Sequence, residues 1–174
     1  MALDNEAIPQ VISNSYGDDE QVSSLVLSAQ GGDYRTDAQL QTVPIEYAVR
    51  VCQLIGMMGL RGVTVIQSSG DSGVGAPCRA NDGSNRVEFT PQYPSTCPYM
   101  TSIGGTQAYM PEVVWSASSG GFSNYFKRPW YQEDAIATYL DKHIAADVKE
   151  YYKPFANFTG RGFPDVSAHS LTPK

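Results

Sequence analysis

The sequence predicts an α/β fold with a mostly parallel sheet covered by helices, on three observations. A β-branched run, a strongly periodic helical segment and a second β-branched run follow one another, and glycines close each strand at its carboxyl end. Residues 9–16, PQVISNSY, read as the first strand, ending at Gly17 before the polar Asp18-Asp19-Glu20. From Pro44 the period changes. Ile45, Ala48, Val49, Cys52, Ile55 and Met58 fall at helical spacing, with Pro44 and Glu46 in the first turn and Gly59 and Gly62 near the end. GVTVIQSS is then the second strand, so strand, helix and strand make the unit of a parallel sheet with a right-handed crossover. Open α/β sheets place their chemistry at the carboxyl ends of the strands. Here that end carries residues 63–75, VTVIQSSGDSGVG.

Downstream, a loop rich in Gly, Pro, Asn and Ser runs to about Pro98, and YMTSIGGT reads as a third strand ended by Gly104-Gly105. Val113-Val114-Trp115 is a candidate fourth. Ile136, Leu140, Ile144, Val148 and Tyr152 repeat every four positions, which predicts a second helix over residues 131–152, packed on the sheet. RGFPDVSA enters a last strand, and Lys174 follows Ala168 by six residues, so the sheet is expected to be incomplete there. Residues 22–41, VSSLVLSAQGGDYRTDAQLQ, have no clear period and separate strand from helix where such connections usually take about 2 to 6 residues. One reading is a flexible surface insertion, which costs little thermodynamically.

The chain has 174 residues, 41% of them hydrophobic, which is enough for one domain with a real core. Twelve Lys and Arg against 18 Asp and Glu, a formal charge of -6, argue against nucleic acid as a partner. No apolar run approaches the roughly 20 residues that span a bilayer, and the start MALDNE has neither the basic end nor the apolar segment of a signal peptide. The three cysteines lack CxxC spacing, so a metal site is not expected and at most one internal disulfide can form. Cys78 and Cys97, in loop-like sequence, are the candidate pair; Cys52, on the apolar helical face, is expected to be a buried thiol. Asn157-Phe158-Thr159 is a sequon and makes Asn157 a glycosylation candidate in a secreted chain.

Gly70-Asp71-Ser72-Gly73 admits two readings. As a nucleophile, Ser72 resembles the serine of chymotrypsin-like peptidases, but it would need a histidine base and an orienting carboxylate. The only histidines are His143, in the second helical segment, and His169, in the tail, and a parallel α/β order contradicts a double β-barrel. Alternatively Asp71 is the working residue, or merely an Asx-turn between glycines.

The order QVISNSYG, helix, GVTVIQSSGDSG, YPSTCPYMTSIGG, GGFSNYF and FPDVSA resembles the sedolisin family of serine-carboxyl peptidases, including fungal secreted tripeptidyl peptidases. The resemblance runs from about Ala7 to Ala168, leaving out residues 22–41, and it implies a subtilisin-like fold with helices on both faces of the sheet. It makes Asp71 the oxyanion-stabilising catalytic residue, in the place where subtilisins use an asparagine. A carboxyl group donates a hydrogen bond only when protonated, and a carboxylate would repel an oxyanion, so activity is expected in acid. Ser15, Tyr16 and Gly17 resemble the strand that pairs with an extended peptide or protein substrate, which gives affinity without strict sequence choice. Asp18 and Asp19 are either anchors for a substrate's free ammonium group or solvated loop carboxylates. The aromatic residues of GGFSNYF read as core or wall.

The resemblance also implies residues that these 174 positions do not contain: a Glu and an Asp four apart on a helix before the first strand, a serine in an SGTSAS-like motif, and a calcium site beyond that serine, hence past Lys174. The expectation is an incomplete central portion of a catalytic domain, inactive alone, from an acid-working parent secreted from the cell. It uses no cofactor within these residues. Family sequences run almost directly from SYGDDEQ into TVP-YA, so residues 22–41 look inserted. Val-Ser can be encoded by GTAAGT and Gln by CAG, donor-like and acceptor-like ends of an unspliced intron whose whole number of codons preserves the frame. HSLTPK has the look of sequence past a missed splice junction. A non-catalytic peptide-binding protein and a chymotrypsin-like hydrolase using Ser72 are the rival readings.

Overall fold

The computed structural model describes residues 7–20, 43–74 and 86–170. The segment 22–41 and Cys78 therefore lie outside the described residues. Strand β1 (Val11–Asn14) ends before a two-residue strand β2 (Asp18–Asp19), and helix α1 (Ile45–Leu60) leads into β3 (Thr64–Ser68). Short β4 (Gln92–Tyr93), long β5 (Thr101–Gln107), β6 (Val113–Val114) and β7 (Gly121–Lys127) follow. Helical turns over Trp130–Gln132 and Tyr139–His143 flank α2 (Glu133–Thr138), and α3 (Ala146–Tyr152) precedes β8 (Gly160–Phe163) and β9 (Val166–His169).

The central sheet follows the expected parallel plan. β1 lies parallel to β3, with Val11 opposite Thr64, and β3 parallel to β5, with Ile66 opposite Thr101. β9 also runs parallel to β5, whereas β6 joins its end antiparallel. Two small antiparallel pairs, β2 with β4 and β7 with β8, stand apart from it.

Helix α1 forms for the reasons its sequence offers. Pro44, with φ −57°, precedes the first turn, and Ala48, Cys52 and Ile55 are its buried face. It ends when Gly62 adopts φ +83°, which lets the Gly62 and Val63 amides donate back to the Gly59 and Met58 carbonyls at 2.9 and 3.1 Å. That pattern satisfies the last carbonyls and turns the chain directly into β3. Cys52 and Ile55 then pack on Val63, Val65, Cys97 and Met100 to make the main core, with Ile12 and Phe126 at its margin.

Three expectations are corrected. Cys97 is bonded to Cys52, not to Cys78: their Cα atoms lie 5.6 Å apart because α1 crosses directly over the turn that precedes β5. Cys52 is thus buried as expected but is not a free thiol. Second, residues 131–152 are not one helix. A strict four-residue repeat drifts about 40° per step on an α-helix, so one face cannot bury all five apolar residues. The chain widens into a π turn over Tyr139–His143 and breaks at Ile144, which is extended at φ −114°, ψ 125°. Ile136 and Leu140 are buried, whereas Val148 and Tyr152 remain exposed. Third, RGFPDVSA enters two strands in different sheets, since Pro164, with no N–H to donate, separates β8 from β9.

Candidate active site

The carboxyl ends of β1 and β3 converge on a cleft of about 150 Å³ lined by Ser15, Tyr16, Gly17, Gln67, Ser68, Gly70, Asp71, Gln92 and Tyr93. Ser15, Tyr16, Gly17 and Asp71, all singled out in the sequence, are therefore brought together there. Because β1 and β3 are parallel neighbours in register, their carboxyl ends must lie side by side. Ser15, Tyr16 and Gly17 are exposed, and Gly17 is held close to β4: a Cβ there would lie 2.7 Å from the Tyr93 carbonyl oxygen.

The Asp71 loop is fastened from behind. Gly70 has φ +107°, a conformation side chains resist, and a Cβ would meet Ser119 Oγ at 2.9 Å. The buried Ser119 brackets Asp71: its amide donates to the Gly70 carbonyl at 3.0 Å, and its hydroxyl accepts from the Ser72 amide at 2.9 Å. The Gly73 amide reaches Ala117 O at 3.1 Å, and Gly73 itself takes φ +59°. The exposed Asp71 side chain is thereby presented at the cleft by a loop whose backbone is tied on both sides. Ser72 is exposed, and its amide is the one that donates to Ser119 Oγ. His169 stacks on Tyr109 at 4.7 Å between ring centres, and its Nδ1 lies 3.5 Å from Glu112. His143 is exposed at the end of the π turn.

Asp18 and Asp19 are not solvated loop carboxylates. They form β2 against β4, where Asp18 accepts the Asp19 amide at 2.9 Å and Gln92 donates to Asp19. Burial, and then the neighbouring Asp18, push the Asp19 carboxyl up to about 6; burial also raises Asp18. Next in sequence, Glu20 is fully buried and accepts from Ser123 Oγ at 2.5 Å and the Asn124 amide at 2.7 Å, joining the acidic segment to β7. Burial raises its carboxyl as well. The sequon residue Asn157 donates from Nδ2 to the Ser123 carbonyl at 2.8 Å, and its Oδ1 accepts from the Thr159 hydroxyl at 2.7 Å. Its amide thus closes the turn into β8.

Sequence reading missed Gln67, Gln92, Tyr93 and Ser119. Gln67 left a trace: it shares the inward register of Val63 and Val65, so a polar amide there had to find buried partners. Ser119 and the β4 residues left none, because they reach the cleft only through the fold. Among the described residues no three His, Cys, Asp or Glu side chains come together to hold a metal ion. No helix among them is long and apolar enough to cross a membrane.

A parallel sheet with a side-chain-bearing loop at the carboxyl end of a central strand is the subtilisin-like α/β arrangement. The structure is similar to that of Pseudomonas sedolisin, a serine-carboxyl proteinase, with a TM-score of 0.51 and 20% identity over 93% of this chain and 38% of the other. In sequence the chain is 59% identical, over 97% of its length, to tripeptidyl-peptidase sed4 of Aspergillus fumigatus. It is 43% identical to the probable tripeptidyl-peptidase SED4 of Arthroderma benhamiae, again over 97% of its length. No protein-family model matches it. The chain belongs to the sedolisin family, and it spans about a quarter of the length of these relatives.

Proposed function

We propose that this chain is the part of a serine-carboxyl peptidase that supplies the oxyanion-stabilising Asp71 and the peptide-pairing edge at Ser15, Tyr16 and Gly17. The observation that carries the reading is their meeting in one cleft at the carboxyl ends of adjacent parallel strands. When a serine attacks a peptide carbonyl, the carbonyl oxygen gains negative charge; a protonated Asp71 donates a hydrogen bond to it, and an ionised one repels it. That chemistry suits a parent enzyme working in acid outside the cell. Relatives named as tripeptidyl-peptidases support release of N-terminal tripeptides. The glutamate, aspartate and serine that the family uses for proton transfer and attack are not in a matching motif among these 174 residues, so the chain alone is expected to hydrolyse nothing.

The test is made on the product of the complete transcript, with a tripeptide anilide bearing a free amino end. Asp71→Ala is expected to lower kcat by about 100-fold to 1000-fold, while Ser72→Ala keeps wild-type activity. Loss in Ser72→Ala with Asp71→Ala active would establish the chymotrypsin-like alternative. Peptide affinity without cleavage would make the protein a binding protein.

A further inference from the structure

Gln67 stands where the two halves of the cleft meet. It is 1% exposed, at the carboxyl end of a strand whose inward register is otherwise apolar. Its Nε2 donates to the Tyr16 carbonyl at 3.0 Å and to the Ser68 carbonyl at 3.0 Å, and its Oε1 accepts from Asn14 Nδ2 at 2.6 Å. Asn14 Nδ2 also donates to the Tyr16 carbonyl, at 2.9 Å. One backbone carbonyl of the exposed edge therefore receives two amide donors from beneath, although the Tyr16 side chain itself is 86% exposed. Held in this way, the backbone of the exposed Ser15, Tyr16 and Gly17 keeps a fixed place beside the Asp71 loop, where a peptide strand would pair with it. Through Ser68 the same carboxamide grips the chain three residues before Asp71.

We propose that Gln67, assisted by Asn14, is a positioning residue that sets the spacing between the peptide-pairing edge and the Asp71 loop. The role rests on the peptidase reading above. Leucine at 67 would leave the Tyr16 carbonyl and the Asn14 amide each one partner short. Glutamate is nearly isosteric, but it offers no N–H, only a single O–H when protonated, and repels carbonyl oxygens when ionised.

The experiment compares wild type, Gln67→Leu and Gln67→Glu in the product of the complete transcript, reading kcat and KM on the tripeptide anilide against pH. Thermal melts and amide exchange at Ser69 and Ser72 accompany the kinetics. Gln67→Leu is expected to raise KM and to speed exchange at both amides by about tenfold. Gln67→Glu is expected to stay near wild type in acid and to lose affinity more steeply than wild type as pH rises. Unchanged KM and exchange in a cooperatively melting Gln67→Leu protein overturn the role. If leucine prevents folding, Gln67→Glu decides: a pH profile parallel to wild type overturns it. Wild type that hydrolyses nothing sinks the peptidase reading and this role together, whereas active wild type with indifferent Gln67 variants sinks the role alone.

Discussion

Asp19 couples the edge of the cleft to pH. Its ordinary value of 3.8 is raised to about 6 in the fold, first by burial and then by Asp18. Between those values the folded chain binds more protons than the unfolded one, so stability falls as pH rises through about 4 to 6. Glu20, raised by burial, acts in the same direction. Thermal melts should therefore give a higher Tm at the acid end of this interval than at neutral pH. Asp19→Asn should narrow that gap without lowering the acid Tm; a gap of unchanged size would show that Asp19 does not titrate there. The direction agrees with the acid-working parent proposed above, and it arises from carboxylates that the sequence alone leaves open as solvated loop groups. What moved them was β4, arriving from more than 70 residues away to pair with β2.

Among the elements, two ties join parts distant in sequence. The disulfide holds α1 to the turn before β5 across 45 positions, and loss of such a loop constraint costs about 3 to 4 kcal/mol in the chain-entropy picture. Non-reducing peptide maps should yield a Cys52–Cys97 cross-linked fragment, and reduction should lower Tm; a Cys78–Cys97 fragment would contradict the fold. The second tie is Arg161, fully buried in β8, whose guanidinium meets Asp165 at 2.6 Å and Met100 O at 3.1 Å. Asp165 in turn accepts the Ser102 amide at 2.7 Å and Gln132 Nε2 at 2.9 Å, so one carboxylate gathers β5, β8 and the first helical turn. Removing a single partner of a buried pair strands the other charge, at about 3 to 5 kcal/mol. Denaturant unfolding of Asp165→Ala should show a loss of this size, and a loss under about 1 kcal/mol would mean that water replaces the carboxylate.

The molecule as a whole leaves a cleft of about 1740 Å³ beside the Asp71 loop, with Val74, Met100, Phe122, Ile136, Tyr139 and Phe163 among its lining. An apolar recess of that size on a folded chain invites hydrophobic probes. The 174-residue chain should bind a naphthalene sulfonate dye while melting cooperatively, and should show no tripeptide hydrolysis. A cooperative melt without dye binding would mean that the recess is filled in solution.

Sequence by itself determined what depends on local pattern: the apolar stripe and glycine end of α1, the parallel pairing of β1 with β3, and the loop of Gly70, Asp71 and Gly73 at the strand's carboxyl end. These follow from period, turn chemistry and the crossover rule, all of which act within a few dozen residues. Tertiary structure decided what depends on distance in space. It paired Cys97 with Cys52 because a helix crosses a turn, broke the helix over residues 131–152 because one face could not bury the whole repeat, and set Gln67 and Ser119 behind the cleft. Buried polar groups must find partners wherever packing places them, and packing is settled by the whole chain.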